Sequence, residues 1–227
     1  MNSRERDLDR LYATLDEDWR SLVRLEGVLR RTVPAGAGIY LFFERGEIRP
    51  DGRLRVVRVG ESGNLRSRLL DQQLTGTHRD NRYDSGHVLL SSIFRHHIGL
   101  ALIRRDSLSL PRSTSERAVK MWVALKAREP SDPIERDFER DVEERVTRAI
   151  GAMLVTWRLV TAHRSRRKQL EEDLIGLLSN YHGGADDAST GWLGSCHRDE
   201  KIRQSGLWNI KHVEGDYDPG VLDRIRG

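Results

Sequence analysis

The chain has 227 residues, 37% of them apolar and 33% charged, enough apolar side chain for one sizeable core under a heavily charged surface. A net charge of +4 and a pI near 9.4 permit nucleic-acid binding without demanding it. A single cysteine, Cys196, excludes an intramolecular disulfide and a Cys-rich zinc site, and no stretch approaches the 18 apolar residues of a membrane span, so the expectation is a soluble cytoplasmic protein.

In chain order, leucines and Trp19 at three-to-four spacing predict a helix over residues 4–31, stopped by "TVPAGAG". Strands are expected at Ile39–Glu44 and Leu54–Gly60, joined by the turn-rich "RGEIRPDGR". Asn64 caps a helix running to about Leu74, and a polar loop, "TGTHRDNRYDSG", follows. Helices are predicted within "HVLLSSIFRHHIGLALIRR", "STSERAVKMWVALKARE" and "IERDFERDVEERVTRAIG". "MLVTWRLVTA" is β-rich and reads as a third strand, and "RSRRKQLEEDLIGLLSN" as the last long helix. The organisation implied is an N-terminal helical arm (1–33), a central domain (34–182) with a helical insertion at about 87–150, and a tail (183–227) packed on it.

With the hairpin turn centred near Arg49, antiparallel pairing sets Tyr40 opposite Arg58 on one face of the ribbon. The helix after Asn64 adds Arg66 and Arg68, and helical periodicity alone does not choose between them. In the last helix Leu170, Leu174, Ile175, Leu177 and Leu178 form an apolar arc that contains Glu171, whereas Glu172 and Asp173 point elsewhere. A carboxylate among leucines is costly unless it is paired or metal-bound. Arg167, one turn earlier, offers an ordinary ion pair as one explanation. Only five of the 39 basic residues are lysine, a bias that suits phosphate contacts but also follows from a GC-rich genome.

"GIY" at 38–40, "RVGESGNLRSRL" at 58–69 and "LEEDLI" at 170–175 resemble the three motifs of the GIY-YIG nuclease family. The resemblance implies a small three-stranded antiparallel sheet flanked by helices, an α/β (α+β) fold here extended by inserted helices and an N-terminal helix. It identifies Tyr40 as the first tyrosine, Gly60 as the motif glycine, Arg68 rather than Arg66 as the motif arginine, and Glu171 as the ligand of Mg²⁺ (or Mn²⁺). The implied activity is a metal-dependent DNA endonuclease in which Tyr40 handles the attacking water and Arg68 stabilises the phosphate. Two departures stand out: Arg58 replaces the second tyrosine, and the stretch between Arg68 and the third strand is long. Arg58 would supply a cation beside Tyr40 or a further phosphate contact.

His78 is a candidate acid/base or phosphate ligand, set against a solvated loop histidine. Arg164, Arg166, Arg167 and Lys168, with Arg66, are candidate phosphate contacts, set against a solvated charged face. The His96-His97 pair, adjacent in one helix, and the tail tryptophans Trp192 and Trp208 read as structural. Asn209 is expected, with those tryptophans, to pack over the central domain, and the resemblance makes Asn180 a candidate to assist the site, at a spacing that is not the family's usual one. A silent nucleic-acid-binding module and a helical protein-interaction protein are the alternative functions.

Overall fold

The computed structural model describes residues 3–19, 21–75, 92–109, 111–125, 128, 130–184 and 186–226; His78 lies outside them. Helix α1 (Ser3–Asp18) leads to a two-residue strand β1 (Val23–Arg24), then the hairpin β2 (Gly38–Ile48) and β3 (Leu54–Ser62). A π-helix (Ser67–Leu74) follows, then α2 (Ile93–Asp106), α3 (Arg112–Leu125), α4 (Pro133–Ala152), β4 (Leu154–Leu159), α5 (Arg164–Leu178) and two short tail helices, α6 (Glu200–Ser205) and α7 (Val221–Arg224). The expected α+β fold is present, with one antiparallel sheet of four strands in the order β1-β4-β2-β3 rather than three.

The predicted helix over 4–31 ends at Asp18, and the reason is tertiary. Leu8, Leu11, Leu15 and Trp19 pack with α5 on one face of the sheet, whereas Leu25 and Val33 belong to the core on the other. The chain must round the β4 edge between them, which a straight helix does not do. Val23 and Arg24 pair with Val155 and Leu154 on the way, covering an edge whose N–H and C=O groups would otherwise lie open.

Alternation along the strands divides the core. Tyr40, Phe42, Val155 and Trp157 face α2 and α4, while Ile39, Leu41, Phe43 and Val59 face α1 and α5. Helix α2 is buried from Phe94 to Ile103, and Trp122 of α3 donates its indole N–H to the His96 carbonyl at 3.1 Å. Asp132 caps α4, accepting the Glu135 N–H at 2.8 Å, with Pro133 in the first turn, where a missing N–H costs nothing. Among the described residues no helix is long and apolar enough to cross a membrane.

The hairpin turn lies further along than expected. Arg49 accepts the Gly52 N–H at 3.0 Å, and Gly52 holds φ at +84°, a left-handed conformation that suits glycine. A bulge at Val57 breaks the register, with Phe42 opposite Arg58 and Phe43 opposite Val56. Tyr40 is therefore opposite Gly60, not Arg58. The offset is two residues, so Tyr40 and Arg58 still share a face.

Candidate active site at the edge of the sheet

Tyr40 is 2% exposed, and its ring crosses the hairpin to lie over Gly60. A Cβ on Gly60 would collide with the Tyr40 ring and hydroxyl, which explains the glycine in "RVG". Gly38 is constrained in the same way: a Cβ there would run into the Arg158 carbonyl and come within 2.8 Å of Leu65 Cδ1. The two motif glycines thus let β2, β3, β4 and the π-helix close around one tyrosine. No described residue hydrogen-bonds the Tyr40 hydroxyl; the ring meets Phe42 edge-on at 5.8 Å.

Strand β3 is the last in the sheet, and its outward backbone groups need partners. The tail supplies most of them. Trp208 donates its N–H to the Val57 carbonyl at 2.8 Å, and the Asn209 side-chain amide clamps Val59, accepting its N–H at 3.1 Å and donating to its carbonyl at 2.9 Å. The next outward group, the Glu61 N–H, donates to Oε1 of Glu171 at 3.1 Å. Glu171 is thereby seated on the sheet edge as the continuation of that row. Nothing in the local sequence pattern marks Asn209 or Glu61 for this role, because they act on or through backbone groups.

Burial pushes the Glu171 carboxyl above its ordinary range and Glu61 adds to the push, while the charge of Arg58, the Glu61 N–H and the charge of His212 oppose it. Arg58 lies with its guanidinium carbon 4.5 Å from the Phe94 ring centre and donates Nη1 to the Trp208 carbonyl at 3.1 Å. Its Nε is buried without a partner, as is the Nε of Arg68. Arg68 stands one turn into the helix that leaves β3 through Ser62–Asn64, where Asn64 caps by accepting the Ser67 N–H at 3.0 Å. That helix is wound in the wider π form, with the Thr75 N–H bonded to the Leu70 carbonyl at 3.2 Å, and it buries Leu65, Leu69 and Leu70.

The remaining sequence candidates are distributed differently. Arg66 is tied to the Val33 carbonyl through Nε at 2.7 Å. Arg164, Arg166 and Lys168 are exposed at the start of α5, but Arg167 is buried, with its Nε 3.4 Å from Glu61 Oε2 and Nη1 on the Ala162 carbonyl at 2.5 Å. The ordinary Arg167–Glu171 pair is not formed. Asn180 holds the Asp186 backbone on both sides, closing a tail loop. Asp173 accepts from Arg224 at 2.6 Å and from the Asp218 N–H at 3.1 Å, fastening the tail to α5. Trp192 and Trp208 are buried and both donate to Glu44 Oε1, at 3.2 and 2.8 Å. His96 stacks on Trp122, and His97 Nδ1 lies 3.1 Å from Nε2 of His197, whose own pKa burial pulls down to about 4.

A four-stranded antiparallel sheet flanked by helices, with a helix-borne carboxylate seated on its edge strand and Arg58 acting on it, defines an α+β domain. The family model described as "GIY-YIG domain" matches residues 2–227, and the chain belongs to that family of nucleases. No curated protein and no solved structure matches the chain.

Proposed function

We propose that the protein is a Mg²⁺-dependent endonuclease that hydrolyses phosphodiester bonds in DNA. The observation that carries this reading is the Glu171 carboxylate, held through one oxygen by the Glu61 N–H, with no described residue donating to the other. A single free carboxylate oxygen suits Mg²⁺ or Mn²⁺, hard ions that keep several waters and borrow phosphate oxygens. Among the described residues no three His, Cys, Asp or Glu side chains gather to hold a metal ion on their own. When bound there, the ion supplies Lewis-acid stabilisation of the charge that develops on the phosphate and leaving oxygens.

The chain's own groups supply the rest. Arg68 and Arg58 supply guanidinium charge for the phosphate oxygens as negative charge grows, and neither has its Nε engaged by the protein. Tyr40, fixed by its own ring packing rather than through its hydroxyl, orients the attacking water. Arg164, Arg166 and Lys168, exposed at the entry of α5, contact flanking phosphates of the DNA. The interaction-protein alternative is disfavoured along α2, where the apolar residues from Phe94 to Ile103 are spent inside the core.

Plasmid incubated with the full chain and Mg²⁺ is the test, with EDTA and Glu171→Gln as controls. Nicking or linearisation is expected in the first reaction alone. Cleavage that survives EDTA or the substitution would falsify the reading, and DNA binding with no cleavage under any divalent ion would favour the silent module.

A further inference from the structure

We infer that Glu61 and Arg167 are positioning residues for the Glu171 carboxylate, an inference that rests on the nuclease reading above. Arg167 precedes Glu171 by one helical turn, the spacing at which an arginine and a glutamate pair on a helix surface. The fold prevents that pairing. The Arg167 guanidinium, 90% buried, is drawn instead to the Glu61 side chain, itself 88% buried, with Nε 3.4 Å from Oε2 and Nη1 on the Ala162 carbonyl. Arg164 stands 3.9 Å from the other Glu61 oxygen, at the mouth of the same contact.

Glu61 therefore acts on Glu171 twice. Its backbone N–H fixes Oε1, and its side chain occupies the buried cation four residues before the same carboxylate, whereas Lys168 is exposed. A metal ion and a guanidinium compete for a carboxylate oxygen, so drawing Arg167 away keeps Glu171 open to the ion. Arg58 and His212 act on Glu171 by their charge; Arg58 has its Nη1 committed to the Trp208 carbonyl, and His212 lies 3.4 Å from Glu172 Oε1. The carboxylate is thus flanked by cations, yet none of the described ones forms an ion pair with it.

Competition makes a prediction that a merely structural ion pair does not. Glu61→Gln keeps the backbone N–H and the side-chain size but releases Arg167 towards Glu171. Mn²⁺ affinity, read by calorimetry on the full chain, should fall roughly tenfold or more, and the Mg²⁺ needed for half-maximal cleavage should rise in step. Glu61→Gln combined with Arg167→Gln removes the competitor, and both readouts should return towards wild type although two buried charges are gone. A double variant as weak as the single one, or a Glu61→Gln protein that binds Mn²⁺ normally, overturns the inference while wild-type binding and cleavage stand. A wild-type protein with no Mn²⁺ binding that Glu171→Gln removes sinks the nuclease reading, and this inference with it.

Discussion

Arg95 in the helical layer is buried and Arg58 at the sheet edge half-buried, and the protein satisfies them in opposite ways. Arg95, 1% exposed, donates Nε to Glu143 Oε2 at 3.1 Å, Nη1 to the Gln73 and Leu74 carbonyls at 2.8 and 3.0 Å, and Nη2 to Thr147 Oγ1 at 2.7 Å. Arg55 is treated likewise, between Glu47 and the Gly206 carbonyl. Arg58 has one hydrogen bond and an aromatic ring beneath it, and its buried Nε has no partner; Arg68 is left with the same orphan. Burial without satisfaction costs stability. Where the fold completes an arginine's bonds the residue is structural; Arg58 and Arg68, each with an orphan Nε, are the arginines that the proposed function assigns to phosphate.

The sharpest break of that comparison is on the carboxylate itself. Glu171→Gln should lower cleavage by about three orders of magnitude or more, at least ~4 kcal/mol at the barrier. Folding stability should hold or rise slightly near neutral pH. The sign follows from the raised carboxyl: such a group stabilises the fold only below its unfolded pKa and loses that contribution as pH rises through the folded one, so replacing it at pH 7 removes a burden. A destabilised variant with normal cleavage would invert the assignment.

The arginines should then separate by assay. Arg95→Met removes one partner of a buried pair and leaves the Glu143 carboxylate behind, which should cost about 3–5 kcal/mol in denaturant unfolding. Arg68→Met should cut cleavage roughly a hundredfold, as loss of one transition-state donor does, with stability changed by less than about 1 kcal/mol. Equal stability losses in the two variants would mean that satisfaction does not distinguish the regions.

A smaller effect tests the helical layer through pH. Glu139, 2% exposed, is pushed up to about 7, first by burial and then by the neighbouring Glu143 carboxylate. Its contribution is therefore full below the unfolded value of about 4.5 and is lost as pH rises through about 7. Unfolding at pH 5 and pH 8 should differ by an amount on the order of 2 kcal/mol that Glu139→Gln abolishes. Parallel losses in wild type and variant would assign the pH dependence elsewhere.

What could be seen beforehand follows the range of the forces involved. Glu171 stands out because a carboxylate within a leucine arc is a local pattern, whereas Tyr40 and Gly60 needed the family resemblance, since the contact between them crosses the hairpin. The choice of Arg68 over Arg66 needed the family resemblance, and the Arg66 contact with the Val33 carbonyl lies beyond the reach of periodicity. The Tyr40–Arg58 register failed by two residues because a turn displaced to Asp51–Gly52 and a bulge at Val57 leave no mark on the alternation. The helix over 4–31 failed because its second half is recruited to an open sheet edge, a demand that exists only once β4 is in place. The sequence placed Asn209 over the central domain but not on Val59, and Glu61 was silent, for a related reason: a side chain that clamps backbone, and a backbone N–H that holds a side chain, have no residue-type signature.

The smallest expected effect falls on the residue next to Glu171. Glu172 shares its helix turn and its charge but not its environment: its Oε1 lies 3.4 Å from His212 Nε2, with side chains 37% and 40% exposed. A pair so open to water is worth less than about 1 kcal/mol. Glu172→Gln should therefore leave unfolding within about 0.5 kcal/mol of wild type, as surface substitutions usually do. Cleavage should change by no more than about twofold, equivalent to ~0.4 kcal/mol at the barrier. His212 also lends its charge to Glu171, so a modest shift in cleavage with no change in stability would trace to that histidine rather than to a metal ligand. A loss as deep as that of Glu171→Gln would mean that the general negative charge of the helix face matters rather than one carboxylate seated on the Glu61 N–H, and the edge of β3 would lose its place as the centre of the site.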